Sequence, residues 1–228
     1  MPAHETITVA GHSVTLKRHA RAKRLTLRVS PKGPVLTVPK RMRLATATDF
    51  LTRHMDWLQD RLADAPKRVT VDLGTDLPFA GQTLSVVRAA DGRTRIEGDH
   101  LLVPDSRSGT TAAVRSFLIA QARQDLTAAS TDYARQIDRN VGRITLRDTR
   151  SRWGSCTARG DLNFSWRLIM APAEVLDYVA AHEVAHLAQM NHSAKFWGIV
   201  ADLCPDYHVY RTWLRTHGPD LHRYDFGT

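Results

Sequence analysis

The apolar residues of this chain change their spacing along its length, and that change limits it to a mixed architecture. Short alternating runs at 6–9, 13–16, 25–29 and 35–38, punctuated by Gly11 and by Pro31-Lys32-Gly33-Pro34, predict antiparallel strands. After Pro39 the spacing becomes helical, with Phe50, Leu51, Met55, Leu58 and Leu62 on one face and Ala65-Pro66 closing the segment. Turn signals at Gly81, Asp91-Gly92 and Gly98-Asp99 divide 79–103 into short strands again, and 104–109 reads as a boundary. From Thr111 a long helical run carries Val114, Phe117, Leu118, Ala122 and Leu126 and extends to Ile137. Residues 143–153 and 162–166 read as the strands of one hairpin, joined through the turn-like Ala158-Arg159-Gly160-Asp161. Helices are expected from near Pro172, from 193 to 203 and from 207 to 216, and no internal repeat is read. The expected class is α+β: an antiparallel β-rich region over 1–108 with one helix at about 46–64, then a helical domain over 109–228 that carries a small β-hairpin sheet.

With 43% apolar residues the chain can bury a core without covalent staples. Its two cysteines, Cys156 and Cys204, are too few for a disulfide framework and read as buried thiols in a reducing compartment. The first ten residues lack the basic-then-apolar pattern of a signal peptide, and no stretch approaches the roughly 18 apolar residues of a membrane span. A cytoplasmic chain with no membrane partner is expected. The net charge of +9 is unevenly spread, because 1–68 holds 14 Lys and Arg against 5 Asp and Glu, which accounts for the whole excess. It is densest at Lys17, Arg18, Arg21, Lys23, Arg24 and Arg28. A solvated strand face is the plain reading of such a run; an acidic partner or nucleic acid at these strands is the functional one.

The chemistry is concentrated at Ala181-His182-Glu183-Val184-Ala185-His186, an H-E-x-x-H pattern inside a predicted helix. Residues four apart share a helical face with Cβ atoms about 5–6 Å apart, so the imidazoles of His182 and His186 can converge on one tetrahedral zinc. Glu183 lies about 100° round the helix from His182 and can reach a water at the metal without ligating the ion. Val175, Val179, His182 and His186 continue one stripe, which turns the histidines toward the protein.

Catalytic zinc usually takes three protein ligands. No Glu follows Glu183, which excludes a downstream glutamate as the third. His192 is the first candidate: it lies six residues beyond His186, and a left-handed Asn191 would swing its ring back toward the metal. The His182, His186, His192 interval equals that of the metzincin peptidases, although Gln189 stands where their glycine makes the turn and Met190 is the last methionine, which leaves no Met-turn. Asp202 is the main rival, with His208, His217 and His222 behind it.

Around this motif stand Ser151-Arg152-Trp153-Gly154-Ser155-Cys156, Asn163-Phe164-Ser165-Trp166-Arg167-Leu168, Ala171-Pro172 and Asn191-His192-Ser193 with Phe196-Trp197. In order and context these segments resemble the bacterial YgjP-like metal-dependent hydrolases, which are grouped near the SprT-like peptidases. The resemblance covers most of the chain and is most specific in its C-terminal half. It implies a zinc-binding hydrolase with His182, His186 and His192 as ligands and Glu183 as catalytic acid/base. A metallopeptidase with a zincin-like domain, acting on a peptide or protein substrate, is the expected function.

Glu183 would take a proton from the attacking water and return it to the leaving amine. A developing oxyanion needs a further donor, and Arg152 is preferred over Tyr207 and His208. An extended peptide could add as a strand to the hairpin edge, whereas Trp153, Trp166, Phe196 and Trp197 read first as core residues. Cys156 lacks a local base at motif spacing and is set aside as a nucleophile. The competing functions are hydrolysis of a non-peptide substrate such as a nucleotide, and a basic nucleic-acid or protein binding module that retains a metal site.

Overall fold

A computed structural model describes residues 5–30, 33–63, 68–104 and 109–227. Three expected signals, the turn at Pro31-Lys32, the helix stop at Ala65-Pro66 and most of the boundary at 104–109, lie outside the described residues. The chain divides by contact into two compact units, Met1–Arg68 and Val69–Thr228. The division therefore falls after Arg68, not near 108: the apolar face of the second β-rich stretch shares one core with the helices that follow it, through residues such as Leu77, Leu101, Val114, Leu118 and Val175.

The first unit is a four-stranded sheet with β1 (Glu5–Val9), β2 (His12–His19), β3 (Thr26–Ser30) and β4 (Gly33–Pro39) in the order β1-β2-β4-β3. Its inward residues Ile7, Val9, Val14, Leu16, Leu36 and Val38 pack against Ala47 and Leu51 of α1 (Leu44–Arg53) and Met55 and Leu58 of α2 (Met55–Ala63). The single helix expected at about 46–64 is thus two, separated at His54. The outer pairs of the sheet are antiparallel, but β2 and β4 run parallel, because β4 returns between β2 and β3.

The second unit opens on the two-residue β5 (Val69–Thr70) and then repeats this plan. The strands β6 (Asp76–Phe79), β7 (Gln82–Arg88), β8 (Arg95–Glu97) and β9 (His100–Val103) lie in the order β6-β7-β9-β8, again with a parallel inner pair. Their buried residues Leu77, Phe79, Leu84, Val86, Leu101 and Val103 stand where the first sheet has its six. Both leading hairpins turn on Ala-Gly with both central residues at positive φ, Ala10 and Gly11 in one and Ala80 and Gly81 in the other, as the tight turn that matches strand twist requires. The repeat conserves inward positions and turn geometry with few identical residues, so a search for self-similar letters passes over it.

α3 (Thr110–Gln136) buries Val114, Leu118, Ala122, Leu126, Ser130 and Ala134, one face at steps of four, and packs against α4 (Ala173–Ala185). Between them lies a three-stranded sheet of β10 (Ile144–Arg147), β12 (Leu162–Ser165) and β11 (Gly154–Cys156), in that order. The hairpin expected between 143–153 and 162–166 is corrected here: β10 pairs parallel with β12, and the antiparallel partner of β12 is β11. The chain continues through a short 3-10 helix (Trp166–Met170), α4, α5 (Ala194–Leu203), α6 (Tyr207–His217), a second 3-10 turn (Gly218–His222) and β12's successor β13 (Tyr224–Asp225), which pairs with β5. Among the described residues no helix is long and apolar enough to cross a membrane.

Arg167 ties this C-terminal segment down. It is 2% exposed. Its guanidinium donates to both carboxylate oxygens of Asp148, at 2.6 and 3.0 Å, and to the carbonyls of Leu221 and Tyr224, at 2.9 and 3.0 Å. It also lies over the rings of Trp166 and Phe226.

Candidate metal centre

α4 is buried almost all round: Val175, Leu176, Tyr178, Val179, Ala180, Ala181, Glu183, Val184 and Ala185 are all buried. A helix buried on most sides belongs in the middle of a core, so the expected stripe is one sector of an element enclosed beyond its first turn. Polar side chains on such a helix need a strong reason to be there. Asp177 has one in the Tyr133 hydroxyl; His182 and Glu183 at its C-terminal end, with His186 just past it, are the others.

α4 stops at His186, and the chain turns back through hydrogen bonds from the amides of Leu187, Ala188 and Gln189 to the carbonyls of Val184 and Ala185. No left-handed residue makes the turn. Asn191 is absent from the positive-φ positions among the described residues. Its side-chain oxygen instead accepts from Gln189 Nε2 at 2.8 Å and from the Ser193 amide at 3.2 Å, which folds the loop without backbone strain. Ser193 then caps α5 by accepting from the Phe196 amide. His192 is held between these two devices, and its Nε2 comes within 3.2 Å of His182 Nε2.

One ligand atom from each of His182, His186 and His192 lies within 4.8 Å of the others, so the three could hold a metal ion. His186 Nδ1 donates to the Gln189 carbonyl at 3.1 Å, which fixes the tautomer and leaves Nε2 with its lone pair. Burial, then the like charges of His186, His192 and Arg211, pushes His182 down to about 3, so its ring is neutral and able to ligate at physiological pH. Burial also lowers His186, with the Gln189 carbonyl opposing. Phe196 floors the cluster: it stacks on His186 at 4.5 Å and meets His182 and His192 edge-on. Trp197 closes it from the side against His182 and His192. Both aromatics are therefore packed on the imidazoles as well as on the core.

Glu183 is 5% exposed and is pushed up to about 8 by burial, with the charge of Arg152 opposing. The backbone of β11 is what closes over it. A Cβ built at Gly154 would lie 2.5 Å from Glu183 Oε1 and 2.6 Å from its Cγ, so only glycine lets the strand come this close. Nothing local in the sequence marks that contact; the glycine inside a strand is the one signal that could have found it.

The other predicted residues fall into place around this centre. Arg152 is exposed and lines a cavity of about 220 Å³ with Gly154. Tyr207 stacks on Trp197 at 5.3 Å, and His208 is exposed. Asp202 and His217 are exposed and outside the histidine cluster. His222 stacks on Trp153 at 5.3 Å and is pushed down to about 4, by burial and then by Arg167. Burial raises Cys156 to about 11, with Glu183 and Asp161 adding to it, and its thiol donates to the Thr157 carbonyl, so it is no thiolate at neutral pH. Cys204 is likewise raised to about 11. In the first unit Arg21, Lys23, Arg24 and Arg28 line a groove of about 580 Å³ with the hydroxyl residues Thr26 and Thr37, whereas Arg18 is turned to Glu5 and to the carbonyls of Lys40 and Met42.

Solved structures similar to this chain include two metallopeptidase zymogens. The metallopeptidase zymogen of Pyrococcus abyssi abylysin is 19% identical with a TM-score of 0.33, over 42% of this chain and 95% of that one. The metallopeptidase zymogen of Methanocaldococcus jannaschii jannalysin is 16% identical with a TM-score of 0.33, over 39% and 88%. No curated protein matches. The model of the YgjP-like metallopeptidase domain matches residues 23–217, so the chain belongs to the YgjP-like family and is a metal-dependent peptidase.

Proposed function

We propose that the metal is zinc, that His182, His186 and His192 hold it, and that Glu183 is the general base of peptide hydrolysis. The observation that carries this reading is the convergence of three imidazoles beside a buried carboxyl. Two nitrogens on one tetrahedral zinc lie roughly 3.3 Å apart, given bonds of about 2.0–2.1 Å, and His182 and His192 bring theirs to 3.2 Å. When bound, zinc polarises the substrate carbonyl and brings the pKa of water from 15.7 to about 7. Glu183, already poised near neutrality by burial, takes the proton from the attacking water and returns it to the leaving amine. Arg152, whose charge reaches Glu183, is the proposed donor for the oxyanion. Strand β11 is an edge of its sheet beside Glu183, and an extended substrate adding to that edge would present its backbone to the centre.

Purified protein is expected to carry one zinc per chain by elemental analysis, to cleave unfolded polypeptides, and to lose that activity on chelation. His192→Ala should weaken zinc binding by roughly a hundredfold or more, since even loss of an outer hydrogen-bond partner costs 10–100-fold, whereas Asp202→Asn should leave it unchanged. Metal-free protein that takes up no added zinc ends the proposal.

The N-terminal groove supports a second, separate function. Residues 6–48 hold ten Lys and Arg and no Asp or Glu, and 5–43 hold no Phe, Trp or Tyr. Cations and hydroxyls without stacking rings suit a phosphate backbone more than unpaired bases, and we infer that this face binds duplex nucleic acid. Binding measured by anisotropy should fall at least tenfold between 50 and 200 mM salt. Arg24→Glu with Arg28→Glu should abolish it, and Glu183→Gln should not; salt-insensitive binding contradicts the idea.

A further inference from the structure

A cavity of about 320 Å³ opens beside the centre, bounded by His182 and Glu183 of α4 on one side and by α6 on the other. Its size lies at the lower end of ligand pockets, roughly 300–1,000 Å³. Its inner wall is apolar: Val179 and Leu214 are buried, and the rings of Trp153 and Tyr178 complete it. Its mouth carries Arg211 and Arg215, which lie on either side of Leu214 on one face of α6.

Among the described residues the two guanidiniums have no carboxylate counterion. Arg211 lies over the Trp197 ring at 4.7 Å, which orients it without neutralising it. Among the described residues Glu183 is the one carboxyl lining this cavity, and the proposed mechanism uses it at the centre. An apolar well with a cationic mouth matches a group that has a short hydrocarbon stem and an anionic end. Guanidinium is also the side chain best shaped to hold a carboxylate, through paired N–H donors.

We propose that this cavity is the specificity pocket of the peptidase, and that Arg211 and Arg215 select substrates carrying a carboxylate next to the scissile bond. The inference rests on the peptidase reading above and deepens it. The carboxylate belongs to a Glu or Asp side chain or to the end of the substrate chain; both offer the same two oxygens.

The test uses the full zinc-loaded chain and internally quenched peptides that are identical except for Glu, Gln or Lys scanned through each position. At one fixed distance from the cleaved bond, Glu should exceed Gln in kcat/KM by roughly tenfold, about 1.4 kcal/mol, and Lys should fall below Gln. Arg211→Glu with Arg215→Glu should reverse the order, so that Lys exceeds Glu. The single variants Arg211→Gln and Arg215→Gln, both at exposed positions, should bring the Glu to Gln ratio toward one even if the double reversal folds poorly. In parallel, fluorescent versions of the peptides, each as a C-terminal acid and amide, are titrated into zinc-loaded Glu183→Gln protein and followed by anisotropy. Preference for the acid over the amide with a flat Glu scan assigns the carboxylate to the chain end; the opposite assigns it to a side chain. Acidic peptides that bind and respond to the charge reversal, with no peptide cleaved by the unaltered protein, keep the pocket and remove the peptidase reading. Equal handling of Glu and Lys in both assays overturns the pocket. So does a nucleoside triphosphate that displaces the acidic peptide at a hundredfold lower concentration.

Discussion

Replacing Gly154 with alanine is expected to lower kcat/KM for peptide hydrolysis by roughly a hundredfold to a thousandfold while leaving one zinc per chain. The added methyl would stand 2.5 Å from Glu183 Oε1, 2.6 Å from Cγ and 2.7 Å from Cδ. The obstruction is the whole side chain, stem included, of a buried residue, and not the free end of a flexible one. Either β11 or Glu183 must move by about an ångström, and a displacement of that size at a reacting group costs about a hundredfold; general acid/base catalysis as a whole is worth about 10²–10⁴. Gly154 is not among the positive-φ residues, so alanine meets no backbone penalty and the loss isolates the packing against Glu183. Glu183→Gln should reach the same low activity, and adding Gly154→Ala to it should lower activity little further, because both changes remove one function. Steady-state kinetics with metal analysis on the same samples decide it. Gly154→Ala protein that retains a third or more of its activity would show that the proposed base is placed by something else.

The contrast between these residues shows what the sequence could disclose. The spacing of His182 and His186 was legible because helical geometry converts an interval of four into adjacency wherever the helix sits. His192 was legible by interval, but its turn was not: the expected left-handed Asn191 gives way to side-chain hydrogen bonds from Asn191 and a cap from Ser193, which reach the same end without strain. Glu183 stands out by its place between the two histidines, yet its closure by Gly154 joins a helix to strand β11, and no local period encodes it. The same holds for sheet pairing. Alternation located β2, β4, β10 and β12, but it carries no information on direction, and β2 with β4 and β10 with β12 proved parallel. The division after Arg68 has a related cause: both sheets have the same inward pattern, and what separates them is which helices cover that face, α1 and α2 on the first and α3 with the segment at 166–170 on the second.

In the sequence Arg167 is only one letter of the Asn163-to-Leu168 segment, yet it supports the largest expected loss of stability. Its partners Leu221 and Tyr224 are 54 and 57 residues away along the chain. Arg167→Met should destabilise the second unit by about 3–5 kcal/mol, the usual cost of removing one member of a buried ion pair, because Asp148 and two carbonyls lose their donor together. Arg167→Lys keeps the charge but cannot fork to both carboxylate oxygens while reaching both carbonyls, so it should recover only part of the loss. Adding Asp148→Leu to Arg167→Met should also recover part, since the orphaned carboxylate is then gone and only the carbonyls remain unpaired. Burial pushes Asp148 up, but the hydrogen bonds and charge of Arg167 outweigh it and hold the carboxyl below its ordinary value. A depressed carboxyl stabilises the fold above its unfolded pKa, about 3.9, and that contribution is lost as pH falls through the lower folded value. Urea unfolding with a chelator present throughout, so that metal binding does not mask the difference, should show the midpoint of Arg167→Met about 1–2 M below that of the unaltered protein at neutral pH. The gap should narrow in acid as Asp148 is protonated. A midpoint within about 0.3 M at neutral pH would mean that the C-terminal segment is anchored by the rings of Trp166 and Phe226, and that the guanidinium merely fills the space between them.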